Sequence, residues 1–190
     1  MSPMTIYVDL DDTVLDWNGH LDYRLSCFEE MRNVPRAHER TSWDLFADLT
    51  DRQRRRMRHI LNEPTFYSSL GPLPGAVDGI RRLRELGNEV FFLTTPYPSN
   101  PNCADGKYKS VEKWFGQTMR NRTVLTHDKT IVRGDVLIDD RPVIEGSVDE
   151  PDWARIIFDQ PWNQGVGGTR LRSWSNDAVD LALMDAVIWR

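Results

Sequence analysis

Cysteine is scarce in this 190-residue chain. The two cysteines, Cys27 and Cys103, are far apart and share no spacing typical of metal ligands. A disulfide-stabilised scaffold is therefore not expected, and the usage favours a reduced intracellular compartment. Internal repeats and low-complexity segments are also missing, so the starting expectation is a globular protein with one core and room for a small insertion.

Long apolar runs and an excess of positive charge are missing as well. No segment approaches the ~20 consecutive apolar residues of a membrane-spanning helix, and the first residues have neither the basic nor the apolar region of a secretion signal. These absences predict a cytoplasmic protein with no membrane partner. The formal net charge of −5 gives no broad positive field and argues against nucleic acid as a partner.

Short apolar runs predict a parallel sheet. They alternate with helical patterns, which is typical of an α/β fold with a Rossmann-like sheet. The predicted strands are Thr5–Val8, Glu89–Leu93, Val136–Ile138 and Arg155–Phe158, with a weaker one at Thr123–Leu125. The predicted helices are Trp17–Met31, Thr50–Leu61, the segment between Gly75 and Gly87, and Asn176–Ile188.

The interval after the first predicted strand is unusually long. About sixty residues lie between that strand and Pro74, and they contain no convincing strand. Such an interval is too long for a simple crossover, and we interpret it as an inserted helical cap. We therefore expect a core formed by residues 1–16 and 74–190 and a small helical cap formed by residues 17–73.

The most informative motif is the segment Ile-Tyr-Val-Asp-Leu-Asp-Asp-Thr at residues 6–13. Alternation along an extended chain places Asp9 and Asp11 on the same side. Two ionised carboxylates so close repel each other, and a metal ion or a shared proton would relieve that repulsion. One carboxylate could then attack phosphorus while the other moves a proton. From this motif alone, a helix cap or a surface turn remains an open alternative.

Polar side chains also follow other predicted strands, and a lysine lies in a loop between them. Because the carboxyl ends of parallel strands meet at one edge of a sheet, we expect these groups to converge there with the two N-terminal carboxylates. Compatible polar groups on three separate strand ends favour a catalytic site over turn chemistry. The residues concerned are Thr94 and Thr95, Lys129, and Asp139 and Asp140.

This constellation resembles the haloacid dehalogenase superfamily of phosphohydrolases, whose motifs are Asp-x-Asp, a threonine or serine, a lysine and a pair of acids, in that order. The resemblance implies that Asp9 attacks phosphorus and forms an aspartyl-phosphate, while Asp11 is the general acid and base. It also implies that Thr94 donates a hydrogen bond to the phosphoryl oxygens and that Lys129 neutralises charge between the nucleophile and the phosphate.

The same resemblance implies a Mg²⁺ cofactor. Its expected ligands are the carboxylates of Asp9 and Asp139 and the backbone carbonyl of Asp11, with Asp140 supporting the site. The chemistry agrees with this independently, since a phosphoryl group with dispersed negative charge needs a hard, oxygen-ligated cation and a fixed ammonium group.

A narrower resemblance is to the 5′(3′)-deoxyribonucleotidases. It rests on stretches within residues 8–17, 66–77, 94–116 and 125–142, which occur in the order of that family and together span most of the chain. It implies a small-molecule nucleotide substrate, with cations at the phosphate and aromatic side chains stacked on the base. The residues implied in substrate binding are Trp17, Trp43, Phe66, Thr95, Lys109 and His127.

Two positions depart from that family. His127 stands where arginine is usual, and an imidazole holds phosphate or sugar oxygens less firmly than a guanidinium does. Asp12 stands where glycine is common, and we expect it to lie in the loop without further effect. The first departure puts an identical substrate preference in question.

The resulting expectation is a Mg²⁺-dependent phosphatase that hydrolyses nucleoside monophosphates, above all 5′(3′)-deoxyribonucleotides, through an aspartyl-phosphate. Two alternatives keep the same fold. One is a phosphatase acting on a sugar phosphate or on a 3′-phosphorylated nucleic-acid end, and the other is a non-catalytic binding module. The oligomeric state stays open, a homodimer included.

Overall fold

A computed structural model describes residues 2–188 of the chain. Its six strands are β1 (Thr5–Val8), β2 (Glu89–Thr94), β3 (Thr123–Leu125), β4 (Val136–Asp139), β5 (Ala154–Phe158) and β6 (Thr169–Leu171). Its five α-helices are α1 (Trp17–Ser26), α2 (Asp51–Leu61), α3 (Ala76–Glu85), α4 (Cys103–Arg120) and α5 (Asn176–Ile188). Among these described residues, no helix combines the length and the apolar character needed to cross a bilayer.

The strands form one parallel sheet in the order β3-β2-β1-β4-β5-β6. The central strand β1 lies between β2 and β4, with Val8 opposite Phe92 on one side and Ile138 on the other. The ladder continues one residue further, because the Asp9 amide donates to the Ile138 carbonyl at 2.9 Å. The predicted α/β fold is confirmed, and its central strands end side by side.

Four predicted strands and the weaker fifth are present, and an additional edge strand was missed. Strand β6 has only three residues, and its middle residue is the charged Arg170. A segment so short and polar lacks the apolar run by which the other strands were found. Its place at the edge of the sheet explains the pattern, because an edge strand needs less burial than a central one.

The segment between β1 and α3 contains helices and turns, as expected, and no strand among its described residues. Helix α1 is shorter than predicted, because it ends at Ser26 and Met31 belongs to a separate short turn, Glu29–Met31. Helix α2 begins where predicted. Thr50 caps it, accepting a hydrogen bond from the Gln53 amide while the Gln53 side chain accepts one from the Thr50 amide.

Trp174 anchors the loop that follows β1 to the rest of the core. Its side chain is buried, stacks on Phe158 with ring centroids 5.7 Å apart, and donates from Nε1 to the Thr13 carbonyl at 2.6 Å. The ring packs directly on Gly79 of α3, where a Cβ atom would lie 2.4 Å from Trp174 Cε3. Glycine is therefore needed at this position for packing.

We expect Gly79→Ala to destabilise the protein. Alanine in a helix interior normally stabilises by about 1 kcal/mol relative to glycine, but overpacking against a buried ring costs about 1–3 kcal/mol. The free energy of unfolding, measured by denaturant titration, should therefore fall. Gly71→Ala is the control, because an added Cβ there meets nothing within 4 Å. A more stable Gly79→Ala protein would contradict this packing of Trp174.

Candidate active site

The site begins where β1 ends. After Val8 the chain passes through Asp9 and then closes a turn in which the Val14 and Leu15 amides donate to the Leu10 carbonyl, at 3.0 and 2.8 Å. This turn leaves the Asp9 carboxylate at the carboxyl edge of the sheet. Asp139 arrives at the same edge as the last residue of β4, with a side chain that is 1% exposed.

A lysine ammonium joins these two carboxylates. Lys129 Nζ lies 2.5 Å from Asp9 Oδ1 and 2.6 Å from Asp139 Oδ2, and all three side chains are buried. Burial raises the pKa of Asp9 to about 6 even though the Lys129 charge opposes the shift. Burial lowers the pKa of Lys129, but Asp139 and Asp9 outweigh it and raise that pKa above its usual value.

The turn that carries Lys129 is held by a carboxylate next to it. Asp128 accepts hydrogen bonds from the amide and hydroxyl of Thr130 and from the amide and hydroxyl of Ser147. The bonds from the Ser147 and Thr130 hydroxyls are the main reason that the pKa of Asp128 lies well below its usual range. Asp128 therefore positions the lysine without touching the site itself.

Three buried carboxylates form a group that could hold a metal ion. One oxygen from each of Asp9, Asp139 and Asp140 lies within 4.8 Å of the others. Asp140 is oriented by Thr13 Oγ1 at 3.3 Å and Trp162 Nε1 at 3.1 Å, and burial raises its pKa well above the usual value, helped by Asp139 and Asp9. An all-oxygen donor set with more negative than positive charge fits a hard divalent cation. The Asp11 carboxylate is not in this group.

A second buried lysine stands on the other side of the site. Lys107 of α4 is 1% exposed, and its Nζ donates to Thr94 Oγ1 at 2.7 Å and to the Thr95 carbonyl at 2.8 Å. The same ammonium lies 2.8 Å from Asp11 Oδ2. Thr94 and Asp11 are therefore brought together with a cation that the sequence analysis did not name.

Lys109, which the family resemblance implies in substrate binding, lies elsewhere on α4. Its ammonium pairs with Asp105 at 2.7 Å on the surface of α4, and its side chain is 64% exposed. Residues two positions apart on a helix face different directions, so Lys107 and Lys109 cannot both point into the same site. Helical spacing could have identified Lys107. This residue lies on the buried face of α4 with Cys103, Gly106, Ser110 and Val111.

Four residues that line the cavity each have a buried polar atom without a hydrogen-bond partner among residues 2–188. The atoms are Asp11 Oδ1, Asn18 Oδ1, Arg40 Nε and Thr95 Oγ1. Nearly all buried polar groups in native proteins are hydrogen-bonded, so unpaired polar atoms in residues around one cavity suit a polar ligand. Contact of Asp11 and Thr95 with substrate stays a prediction.

The cavity has a volume of about 330 Å³, and Asp9, Asp11, Lys107 and Lys129 are among the residues that line it. Residues 17–73, which we expect to form a cap, and neighbouring loops supply an aromatic wall, which suits an organic ligand with a planar group. Two of the expected base-contacting residues, Trp17 and Trp43, belong to this wall. Its aromatic members are Trp17, Trp43, Phe46, Tyr67, Tyr97 and Trp162.

Two other expected contacts do not line the cavity. Phe66 is 1% exposed and packs in the cap against Trp17, His20 and Tyr67, with ring centroids 4.9 to 5.7 Å apart. Its side chain thus supports Trp17 from behind, and its neighbour Tyr67 reaches the cavity instead. His127 is exposed to solvent on the loop before Lys129, outside the cavity.

Asp12 has a structural role in the loop after β1, where we expected it to have no effect. Its φ of 56° lies in the left-handed region, which explains why glycine would suit this position. Its side chain is buried and accepts hydrogen bonds from the Asn18 amide at 2.8 Å and from Asn18 Nδ2 at 2.6 Å. Asp12 therefore ties the loop after β1 to the first turn of α1, and burial raises its pKa well above the usual value.

Comparison of the sequence with known proteins identifies a family that matches this chain. The family model described as 5′ nucleotidase, deoxy (pyrimidine), cytosolic type C matches residues 3–187. A Bordetella pertussis protein provisionally named a 5′(3′)-deoxyribonucleotidase is 39% identical over 174 residues, which cover 91% of this chain and 92% of that protein. The human cytosolic-type 5′(3′)-deoxyribonucleotidase is 32% identical over 185 residues, which cover 90% of each chain.

A solved structure supports the fold. A haloacid dehalogenase-like family hydrolase from Xanthomonas campestris superposes with a TM-score of 0.55, covering 99% of this chain and 98% of that one at 13% sequence identity. At that identity the likeness concerns the fold alone. It agrees with the predicted haloacid dehalogenase-like core.

We expect the two lysines of α4 to differ sharply in their importance. Lys107→Met removes a buried cation beside Thr94 and Asp11, and kcat/KM should fall about 10²-fold or more, in line with the loss of a charge-stabilising group. Lys109→Met removes an exposed surface charge and should change kcat/KM by less than about 2-fold. Steady-state kinetics on both variants test this, and similar losses in the two would contradict it.

Proposed function

Because the chain belongs to the cytosolic type C family of 5′-nucleotidases, we propose that it hydrolyses nucleoside monophosphates, with 5′(3′)-deoxyribonucleotides as its main substrates. The observation that carries the proposal is one cavity lined by both charged and aromatic side chains. Asp9, Asp11, Lys107 and Lys129 line it together with Trp17, Trp43 and other aromatic residues. A nucleotide likewise combines a charged phosphate with a planar base.

In the proposed reaction Asp9 is the nucleophile. Its carboxylate oxygen attacks phosphorus, and the bond from phosphorus to the ester oxygen breaks as the aspartyl-phosphate forms. Asp11 donates a proton to the departing oxygen and later accepts one from the water that attacks the aspartyl-phosphate. That second step releases inorganic phosphate, frees the Asp9 carboxylate and returns Asp11 to the protonated form in which it began.

The two buried lysines and the threonines bind the phosphoryl group. Lys129 and Lys107 hold fixed positive charges on two sides of the site, where low polarity strengthens their effect on the developing negative charge. The Thr94 hydroxyl accepts from Lys107 and remains able to donate to a phosphoryl oxygen. The Thr95 hydroxyl, which has no partner among the described residues, is a further donor in the lining of the same cavity.

Mg²⁺ is the proposed cofactor. Asp9, Asp139 and the backbone carbonyl of Asp11 would hold it, and Asp140 would support them. When bound, the ion supplies positive charge against the phosphoryl oxygens. The crowded carboxylates of Asp9, Asp139 and Asp140 fit such an ion, because their mutual repulsion is only partly offset by Lys129.

Base recognition is proposed to depend on stacking. Trp17 and Trp43 offer aromatic faces in the cavity wall, and base–aromatic stacking contributes about 1–3 kcal/mol per base. Trp17 is held firmly by the edge of Phe66, at 5.7 Å between centroids. A cytoplasmic location and a homodimer stay predictions.

The first measurement is phosphate release from a panel of deoxy- and ribonucleoside monophosphates and sugar phosphates, with Mg²⁺ and with a chelator. We expect metal-dependent release from deoxyribonucleotides. Asp9→Asn should lower kcat by more than about 10³-fold, because it removes the nucleophile. Asp78→Asn is the matched control, because it makes the same substitution at an exposed carboxylate on α3. It should leave kcat unchanged.

Each other outcome selects a different conclusion. Release from sugar phosphates alone would keep the chemistry and reject the nucleotide substrate. Release only from 3′-phosphorylated oligonucleotides would favour a nucleic-acid end as the substrate. No release from any of these compounds, by a folded protein, would reject the proposed activity and favour a binding module.

A further inference from the structure

Two arginines in the cavity wall have no part in the proposed chemistry. Arg40 belongs to the cap, and Arg141 follows β4 in the core; both line the cavity. The Arg40 guanidinium carbon lies 5.7 Å from the ring centre of Trp162, and that of Arg141 lies 5.8 Å from the ring centre of Trp43. Since the two tryptophan rings are 6.3 Å apart, the arginines flank one aromatic pair that joins cap and core.

Neither guanidinium has a hydrogen bond or an ion pair within residues 2–188, and Arg40 Nε is buried without a partner. Each of the other half-buried arginines between residues 17 and 73 has a partner for at least one guanidinium nitrogen. Arg24 and Arg56 pair with Glu63 and Glu30 at 2.5 and 2.9 Å, and Arg36 and Arg54 donate to backbone carbonyls. Single buried nitrogens without a partner also occur in Arg24 and Arg36, so Arg40 is the exception because its whole guanidinium is unpaired among the described residues. A partly buried cation without a partner costs free energy unless a ligand supplies one.

The neighbouring carboxylates are not placed to pair with Arg40. Asp12 and Asp22 act on its charge, but neither comes within 4.0 Å of the guanidinium. Asp12 is occupied by the two hydrogen bonds from Asn18, and Asp22 accepts from the Ala37 amide at 2.9 Å. Burial also lowers the pKa of Arg40, as expected for a charged side chain that is partly withdrawn from water.

The missing partner is best supplied by an anion. A guanidinium stays charged at all physiological pH values, and its planar fork matches the oxygens of a phosphate. A carbonyl oxygen of a base would satisfy one donor but leave the charge without a counterion. The phosphate at Asp9 is already met by Lys107 and Lys129, so the arginines are free for a second anionic group.

We propose that Arg40, with Arg141 beside it, binds a second phosphate group of the substrate, so that nucleoside 3′,5′-bisphosphates are better substrates than the matching monophosphates. The inference rests on the proposed function. One phosphate ester is cleaved at Asp9, and the other is retained by the arginines and leaves with the nucleoside monophosphate product.

The test compares kcat/KM for a deoxynucleoside 5′-monophosphate and for the 3′,5′-bisphosphate of the same nucleoside. Wild-type protein should prefer the bisphosphate by about 10-fold or more, mainly through a lower KM, as expected for charge-assisted hydrogen bonds. Arg40→Met should remove most of that preference and change the monophosphate value by less than about 3-fold. Arg40→Lys should keep part of it, because the charge remains while the fork is lost.

Arg55→Met is the matched control. Arg55 is an exposed arginine on α2 of the same cap, outside the cavity, and its loss changes net charge by the same amount. It should leave the preference intact, which separates local binding from long-range attraction. Arg141→Met is a second variant in case Arg40→Met does not fold, and it should also reduce the preference.

The outcomes separate this inference from the proposed function. A wild-type protein that cleaves the monophosphate but shows no preference for the bisphosphate overturns the inference alone. So does an Arg40→Met protein that loses the same factor on both substrates, since that result means a general role in holding the cap. A folded wild-type protein that cleaves neither compound overturns the proposed function and this inference with it.

Discussion

The rest of the site depends on the ammonium of Lys129 between Asp9 and Asp139. The two carboxylates come from neighbouring strands of one sheet, and the lysine comes from the loop that precedes the second of them. Removing one member of a buried ion-paired group typically costs about 3–5 kcal/mol, because the remaining charges lose their compensation. The sheet therefore fixes where the charges meet, and the charges in turn fix the loop that carries Lys129.

A second buried pair of a lysine and a carboxylate lies on the other side of β1. Lys107 reaches from α4 to Asp11 and Thr94, so Asp11 and Asp9 each have their own buried cation. Such pairing keeps Asp9 and Asp11 in place despite their mutual repulsion. In the proposed reaction, the positive charge for a phosphoryl group would thus be present before substrate binds, which is the arrangement that gives electrostatic catalysis its efficiency.

The sequence was most informative about candidate site residues that lie at or just after the end of a strand. Asp9, Thr94 and Asp139 could be placed because each directly follows or ends a short apolar run, and the parallel sheet aligns those ends. Lys107 could not be found that way, because its position depends on the rotation of a helix. Phe66 failed for a related reason: local sequence marks a residue as aromatic and apolar, but only tertiary packing decides whether it faces the cap interior or the cavity.

Helix α4 is in close contact with the segment of residues 17–73 that we expect to form the cap. Ser110 donates to the Tyr67 carbonyl at 2.7 Å, and Gly106 lets the two backbones approach so closely that a Cβ there would lie 2.8 Å from Tyr67 Cβ. Tyr67 lines the cavity on the cap side, and Lys107 lies next to Gly106 on the same helix. This contact therefore fixes Tyr67 relative to Lys107, so an aromatic side chain and a buried cation of the cavity lining keep their spacing. In the proposed function, such a fixed spacing helps a bound nucleotide to present its phosphate to Asp9.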